Sequence, residues 1–140
     1  MTIGRHALSE VVNGVFDALN VAGFTALSTG GVYNDVPQGT AFPFSWLTPG
    51  DPGEEPMDTF GRIGARCRLD LHVYSQYEGD DQALDIVQKA VELTHHAALT
   101  VAGWSVANVV RAPVTLFVED VNGIATRHAI APLVVEVQYG

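Results

Sequence analysis

Two histidines of this chain are placed where they could share a proton or a metal ion. His72 and His128 each fall in a segment that alternates apolar and polar residues, so both are predicted on strands and could meet across a sheet. Together with Asp70 they would form the acid–base site of a small oligomeric enzyme. His95 and His96 are adjacent, point about 100° apart on a helix, and do not readily chelate one metal. The alternative for His72 and His128 is a surface or interface position, which is the commoner one.

An acidic segment is the second candidate. Residues 49 to 58 contain three prolines, two glycines and four acidic residues, a composition that suits neither a helix nor a central strand. We therefore predict an exposed loop, either solvated or used for docking. Its acidic spacing matches no EF-hand calcium loop. The candidates for docking or for the lining of a lumen are Asp51, Glu54, Glu55 and Asp58.

Motifs for enzymatic chemistry are missing from the sequence. It contains no GxxxxGK[ST] loop, no GxGxxG after a strand, no HExxH helix and no GxSxG elbow. The single cysteine, Cys67, excludes an intrachain disulfide and the usual structural zinc sites, and its place in an alternating strand predicts a buried thiol. The sequence therefore predicts no cofactor, no metal site and no enzymatic activity.

Composition limits the partners. The net charge is −9, and the lysine and arginine total is only 7, which argues against tight binding to nucleic acid. Charged residues make up 16%, against about 25% in a typical globular domain, which indicates either a surface suited to contacts between subunits or simply a compact domain rich in valine and alanine. No apolar run approaches the ~18 residues of a membrane span, and no signal peptide is recognisable. We expect one domain over residues 1–140, folded in the cytoplasm.

Hydrophobic periodicity predicts two helices and several strands. The helices are expected over residues 5–20, ended by Gly23, and over residues 80–97, where Asp80 or Asp81 would cap the start and Leu84 would face inward. Strands are expected around residues 32–33 and over 41–47, 65–74, 99–102, 104–111, 114–119 and 126–139, with hairpin turns at Ala102-Gly103 and Asn122-Gly123. This order predicts an α+β fold, an antiparallel (mixed) β-sheet with two α-helices packed on one face.

Two strands carry the candidate subunit contacts. Over residues 65–74, apolar residues alternate with long polar ones, which predicts a half-buried antiparallel strand. The last strand is apolar on both faces, so a helix could cover one face and a neighbouring subunit the other. The candidate interface residues are Arg62, Arg66, Arg68, His72 and Tyr74.

Several motifs, in order along the chain, resemble those of phage tail completion proteins, the tail terminators or tail-to-head joining proteins of long-tailed phages. The first is the stretch from Gly31 to Gly39, GVYNDVPQG, followed by Phe42-Pro43-Phe44. It is followed by Asp58-Thr59, by the strand LDLHVYS over residues 69–75, by LTVAGW over residues 99–104, and by Asn122-Gly123 with Thr126-Arg127-His128. The chain departs from the family pattern at Trp46, where an aliphatic residue is common, and in the insert at residues 49–57.

The resemblance implies a structural virion protein that forms a ring, of six subunits, at the end of the tail tube and joins the tube to the head connector. Partners would be further copies of the chain, the tail tube protein and the head–tail connector, with DNA passing through without specific binding. A closed head-to-tail ring needs two different patches on each subunit, which fits the two-sided strands. The alternative roles are another connector or tail tube subunit and the small His/Asp enzyme. The particle itself is either a phage or a tail-derived particle such as a gene transfer agent.

Overall fold

The computed structural model describes residues 6–58, 62–95 and 99–139. Three residues of predicted features lie outside these ranges: Arg5 of the first predicted helix, Thr59 of the Asp58-Thr59 motif and His96 of the second predicted helix. The helices are α1 (Leu8–Leu19), α2 (Ala22–Thr25) and α3 (Asp81–Thr94). The strands are β1 (Val32–Tyr33), β2 (Phe44–Pro56), β3 (Ile63–Ser75), β4 (Val106–Arg111), β5 (Thr115–Val121) and β6 (Ile124–Tyr139).

The six strands form one mixed sheet, in the order β1-β2-β3-β6-β4, and β5 also pairs with β6. Only the pair of β1 with β2 is parallel. β6 is long enough to hold β3 along one side and β5 and then β4 along the other. The predicted α+β fold with a mixed sheet is therefore confirmed.

The core lies between the sheet and the helices. β3 and β6 pair antiparallel from Ile63↔Tyr139 to Ser75↔Arg127 without interruption, so alternate side chains of both strands face the same side. The residues of β3 and β6 that are fully buried under α1 and α3 are Cys67, Leu69, Leu71, Val73, Ala129, Leu133 and Val135. The predicted burial of Cys67 is confirmed.

Both long helices bury one stripe, as their periodicity predicted. α1 buries Val11, Val15 and Leu19, and α3 buries Ile86 and Ala90. Three local expectations were wrong. Leu84 is 42% exposed instead of facing inward, and Gly23 lies within the short α2 instead of ending α1. Asp80 makes no side-chain cap: its backbone is already helical, and its carboxylate lies 3.5 Å from Arg127.

The acidic segment is strand, not loop. β2 runs on to Pro56 and pairs with β3 both before and after a bulge, at Pro49↔Leu69 and then at Glu54↔Cys67. Four residues, from Gly50 to Gly53, stand opposite the single Arg68, and this bulge accommodates the prolines and glycines that argued against a strand. The three extra residues are an odd number, so the alternation reverses and Glu54 faces the helices.

The predicted hairpin over residues 99–111 is half wrong. Residues 99–101 form no strand, although Ala102 and Gly103 do lie in a turn and β4 follows it. The other hairpin is confirmed: Asn122 and Gly123 have φ of 52° and 80°, the left-handed region that a tight β-turn requires.

Candidate functional site

The face of the sheet opposite the helices carries the candidate residues, and we call it the outer face. Side chains alternate along each strand, so in β2, β3, β5 and β6 the residues between the core residues point to this side. No helix among the described residues covers it. Its residues are Phe44, Trp46, Arg66, Arg68, Asp70, His72, Tyr74, Phe117, Glu119, His128, Ile130 and Val134.

Three titratable side chains of the outer face form a hydrogen-bonded chain. His72 on β3 and His128 on β6 meet, with 2.8 Å between Nδ1 of His72 and Nε2 of His128. The Nδ1 atom of His128 bonds a carboxylate oxygen of Glu119 on β5. Because a carboxylate only accepts, Nδ1 of His128 must carry a proton; with both rings neutral, His72 then donates from Nδ1 to Nε2 of His128. This arrangement leaves Nε2 of His72 as a free acceptor.

The surroundings keep His72 neutral. Burial lowers the pKa of His72, the neighbouring His128 lowers it further, and the negative charges of Asp70 and Glu119 oppose the effect. A doubly protonated pair would place two N–H groups against each other across 2.8 Å. The pKa of Tyr74 is raised, by burial first and then by Glu119, so its hydroxyl stays protonated.

Aromatic rings surround the histidines. The ring of Tyr74 stacks on His128 at 4.2 Å between centroids and on Phe44 at 4.9 Å. Phe117 lies 4.6 Å from His128, on its β5 side, and Trp46 lies 5.3 Å from His72. Such pairs add about 0.5–1.5 kcal/mol each beyond the area that they bury. The middle of the outer face is thus an aromatic layer that stays partly open to solvent.

The arrangement fits a contact surface better than a catalytic site. Asp70, the acid of the enzyme hypothesis, hydrogen-bonds Arg68 instead of either histidine. Among the described residues no group of three His, Cys, Asp or Glu side chains could hold a metal ion. Three grooves of about 380 to 490 Å³ lie elsewhere in the part of the chain that the structure describes, and no histidine lines them. The two histidines bond each other, so they do not converge on a third point.

The candidate arginines lie near the same strand and are already engaged. Arg66 is 4.0 Å from Glu55, Arg68 is 3.4 Å from Asp70, and Arg62 donates to the side-chain oxygen of Gln138 at 3.0 Å. Half-exposed pairs of this kind contribute at most about 1 kcal/mol. Carboxylates thus neutralise Arg66 and Arg68, while Arg62 has a neutral partner, so the three arginines do not form a strongly basic patch.

The acidic candidates are not brought together. Glu54 is turned inward and accepts the amide protons of Ala7 and Leu8, at 3.0 and 2.9 Å, at the start of α1. Asp58 accepts the amide proton of Gly64 at 3.1 Å. Asp51 stands exposed on the bulge, and Glu55 pairs with Arg66. Glu54 and Asp58 therefore have structural partners, and Asp51 remains a candidate for docking.

The segment that resembles the family signature braces the edge of the outer face. Gly30 donates to the carbonyl of Pro43 at 2.7 Å and the hydroxyl of Tyr33 to the carbonyl of Gly30 at 2.6 Å, which holds β1 beside β2. A Cβ on Gly30 would lie 1.9 Å from the carbonyl oxygen of Ala41, so only glycine fits. Trp46, the departure from the family pattern, donates from Nε1 to the carbonyl of Asn34 at 3.0 Å and ties this segment to the outer face.

Sequence reasoning missed Glu119 and Phe117. Both lie on β5, which pairs with β6 through the predicted hairpin turn at Asn122-Gly123. The signal was present, since Phe117 and Glu119 share one side of the strand and a two-residue turn sets the register of the hairpin. The register Phe117↔His128 and Glu119↔Thr126 brings both to His128.

Comparison with known proteins gives three findings. The family described as "Tail completion protein gp17" matches residues 4–130. A chain of a solved structure, "Virion of native gene transfer agent (GTA) particle", is similar with a TM-score of 0.73 at 17% identity, covering 96% of this chain and 99% of that one. Another solved structure has a TM-score of 0.60 at 13% identity and covers 94% of this chain and 96% of that one. No curated protein matches.

Proposed function

Because the chain belongs to the tail completion protein gp17 family and is thus a structural protein of a virion tail, we propose that it is a ring-forming tail terminator. The ring caps the tail tube and joins it to the head connector, and the chain has no enzymatic role. The helices among the described residues are too short and too polar to cross a lipid bilayer.

The open aromatic layer of the outer face supports this proposal. Phe117 is 39% exposed on it and no described helix of the chain covers it. The exposed apolar area of these rings gains free energy when a partner covers it, at about 25 cal/mol per Å² of apolar area removed from water. We assign the outer face, with His72, Tyr74 and the flanking Arg62, Arg66 and Arg68, to a contact between neighbouring subunits.

The acidic charge supports a passage for DNA that does not bind it. Each subunit has a net charge of −9, so a ring of several subunits has a strong negative field that repels phosphates and lets the genome slide. The exposed Asp51 on the bulge is the candidate element for the lumen or for docking. A channel lined by arginines in an assembled ring would refute this part of the proposal.

The mass of the protein in solution, by light scattering with and without tail tubes, tests the proposal. We expect a discrete species of about six subunits, or a monomer that forms one on the tube. Continuous growth into long tubes would indicate a tube protein. A monomer indifferent to tubes and connectors would refute the terminator.

Two matched variants test the outer face. Phe117→Asp puts a charge on the outer face, and Val21→Asp puts one on the helix side at almost the same exposure, 39% and 40%. We expect Phe117→Asp alone to prevent ring formation, with both variants retaining the wild-type circular dichroism. Equal loss in both variants, or in neither, would contradict the assignment.

A further inference from the structure

The hairpin of β5 and β6 extends past the rest of the sheet. β3 ends its pairing at Ser75↔Arg127, so residues 119–126 have no third strand beside them. On the helix side, Val118 at the base of this arm is 57% exposed. The next side chain on the same side is the exposed Asp120, whose carboxylate accepts the amide proton of Gly123 at 2.7 Å. The arm therefore presents an apolar group followed by a carboxylate.

A groove elsewhere on the chain has the complementary character. It lies between α3 and the connection from β4 to β5, with a volume of about 490 Å³. Its apolar walls include Leu84 and Val114, which are 42% and 43% exposed, and the buried Val87. Arg111 lines it as well, and this arginine makes no ion pair with any residue that the structure describes.

The arm cannot reach the groove of its own chain. Val114 directly precedes β5, and Asp120 lies six residues further along this extended strand, about 20 Å away at ~3.3 Å per residue. The strand is held by its pairing with β6 and cannot fold back. Contact between the two surfaces must therefore be between different copies.

We propose that the arm of one copy inserts into the groove of the next copy, with Val118 between Leu84 and Val114 and with Asp120 facing Arg111. The contact is head to tail, since the two surfaces differ, and head-to-tail contacts form a ring when the rotation from copy to copy closes. The inference rests on the proposed ring and specifies one of its contacts, separate from the outer face.

Charge favours a second copy as the occupant. In a chain with net charge −9, four described cations (Arg66, Arg68, Lys89 and Arg127) already have acidic partners within the chain. Arg111 lies beside an apolar groove without an acidic partner among the described residues, and on the arm the carboxylate of Asp120 lies next to the apolar Val118. Each surface thus supplies what the other lacks, and every copy carries both.

Cysteine cross-linking tests the contact directly. The native Cys67 is buried and does not compete, so Leu84→Cys and Val118→Cys provide the only accessible thiols. Under mild oxidation the double variant should give a ladder of covalent multimers on a denaturing gel. A 1:1 mixture of the two single variants should stop at a dimer, and each single variant alone should stay unlinked.

Controls separate this contact from general association. Thr100→Cys, at an exposed position outside the groove, replaces Leu84→Cys in the double variant and should abolish the ladder. Arg111→Asp in the cross-linking background should strongly reduce the ladder, and adding Asp120→Arg should restore it.

The outcomes distinguish the two proposals. No ladder from a protein that still forms rings by light scattering overturns this contact and leaves the terminator standing. Strong dimers from either single variant alone indicate a symmetric contact and also overturn it. A wild-type chain that stays monomeric with tail tubes, together with no ladder, overturns both.

Discussion

Replacing Glu54 should destabilise α1 from a distance of more than forty residues along the chain. The cap residue of this helix, Ala7, has no side chain that could accept a hydrogen bond. Instead one carboxylate oxygen of Glu54, on β2, accepts the amide protons of both Ala7 and Leu8, and the side chain is only 13% exposed. The negative charge also lies at the positive end of the helix dipole.

The expected magnitude follows from these two bonds. A hydrogen bond to a charged group contributes about 1.5–3 kcal/mol, and losing a helix cap costs about 0.5–2 kcal/mol. Water can reach the vacated end in part, so we expect Glu54→Ala to lower the free energy of unfolding by about 2–3 kcal/mol. Glu54→Gln keeps an acceptor oxygen but loses the charge, and should cost about 1 kcal/mol.

Urea denaturation followed by circular dichroism measures the change in the free energy of unfolding, and a thermal melt measures the matching change in melting temperature. For a domain of this size, each kcal/mol lowers the melting temperature by about 4 °C, so Glu54→Ala should melt about 8–12 °C lower. The matched control is Glu55→Ala on the same strand. Its side chain is 55% exposed and lies 4.0 Å from Arg66, so the loss should stay below about 0.5 kcal/mol. Equal losses in Glu54→Ala and Glu55→Ala would refute the capping role.

Three further predictions concern protonation and packing. Because the pKa of His72 is lowered in the folded protein, the unfolded chain binds this proton more tightly. The free energy of unfolding should therefore be at its full value above pH 6.5 and fall below it, with a slope of at most about 1.4 kcal/mol per pH unit. Urea titrations across this pH range should show that His72→Gln removes the slope. Gly14→Ala should destabilise by about 1–2 kcal/mol, since its Cβ would lie 2.6 Å from the carbonyl oxygen of Thr100. In Gly23→Ala the new Cβ meets only the end of a flexible side chain, so this variant should be neutral or up to about 1 kcal/mol more stable. Thermal melts that rank the two variants otherwise would contradict this packing. Burial raises the pKa of Cys67 to about 12, so a thiol reagent at pH 8 should label it only in denaturant, and rapid labelling of the native protein would place the thiol at the surface.

The long elements were predictable because their periodicity depends on one buried face. β3 alternates from Cys67 to Val73, and α1 repeats its apolar stripe over three turns, so local sequence was sufficient. α2 has only four residues, too few for a period to be visible. The stretch at residues 99–101 has the composition of a strand, but Val101 is buried in the core and the carbonyl oxygen of Thr100 lies close to Gly14 of α1, so this stretch packs against the helix instead of extending the sheet.

The acidic segment shows where local reasoning fails. Prolines and glycines argue against a regular strand, and only the bulge opposite Arg68 reconciles them with pairing on both sides. Glu54 looked like a solvated acid because its amide partners at Ala7 and Leu8 are remote in sequence. The meeting of His72 and His128 was anticipated, whereas Glu119 was overlooked although the predicted turn at Asn122-Gly123 sets the register that brings it to His128.

The unbroken pairing of β3 with β6 restricts how chains of this family can change in length. Inserting or deleting one residue within either strand would exchange its two faces, sending Leu69 and Leu71 to the outer side and His72 into the core. Length changes should therefore collect where alternation is already interrupted, at the bulge from Gly50 to Gly53 and at the turn of Asn122 and Gly123. At the bulge, a change by an odd number of residues would also turn Glu54 away from α1, so only even changes there keep the helix capped.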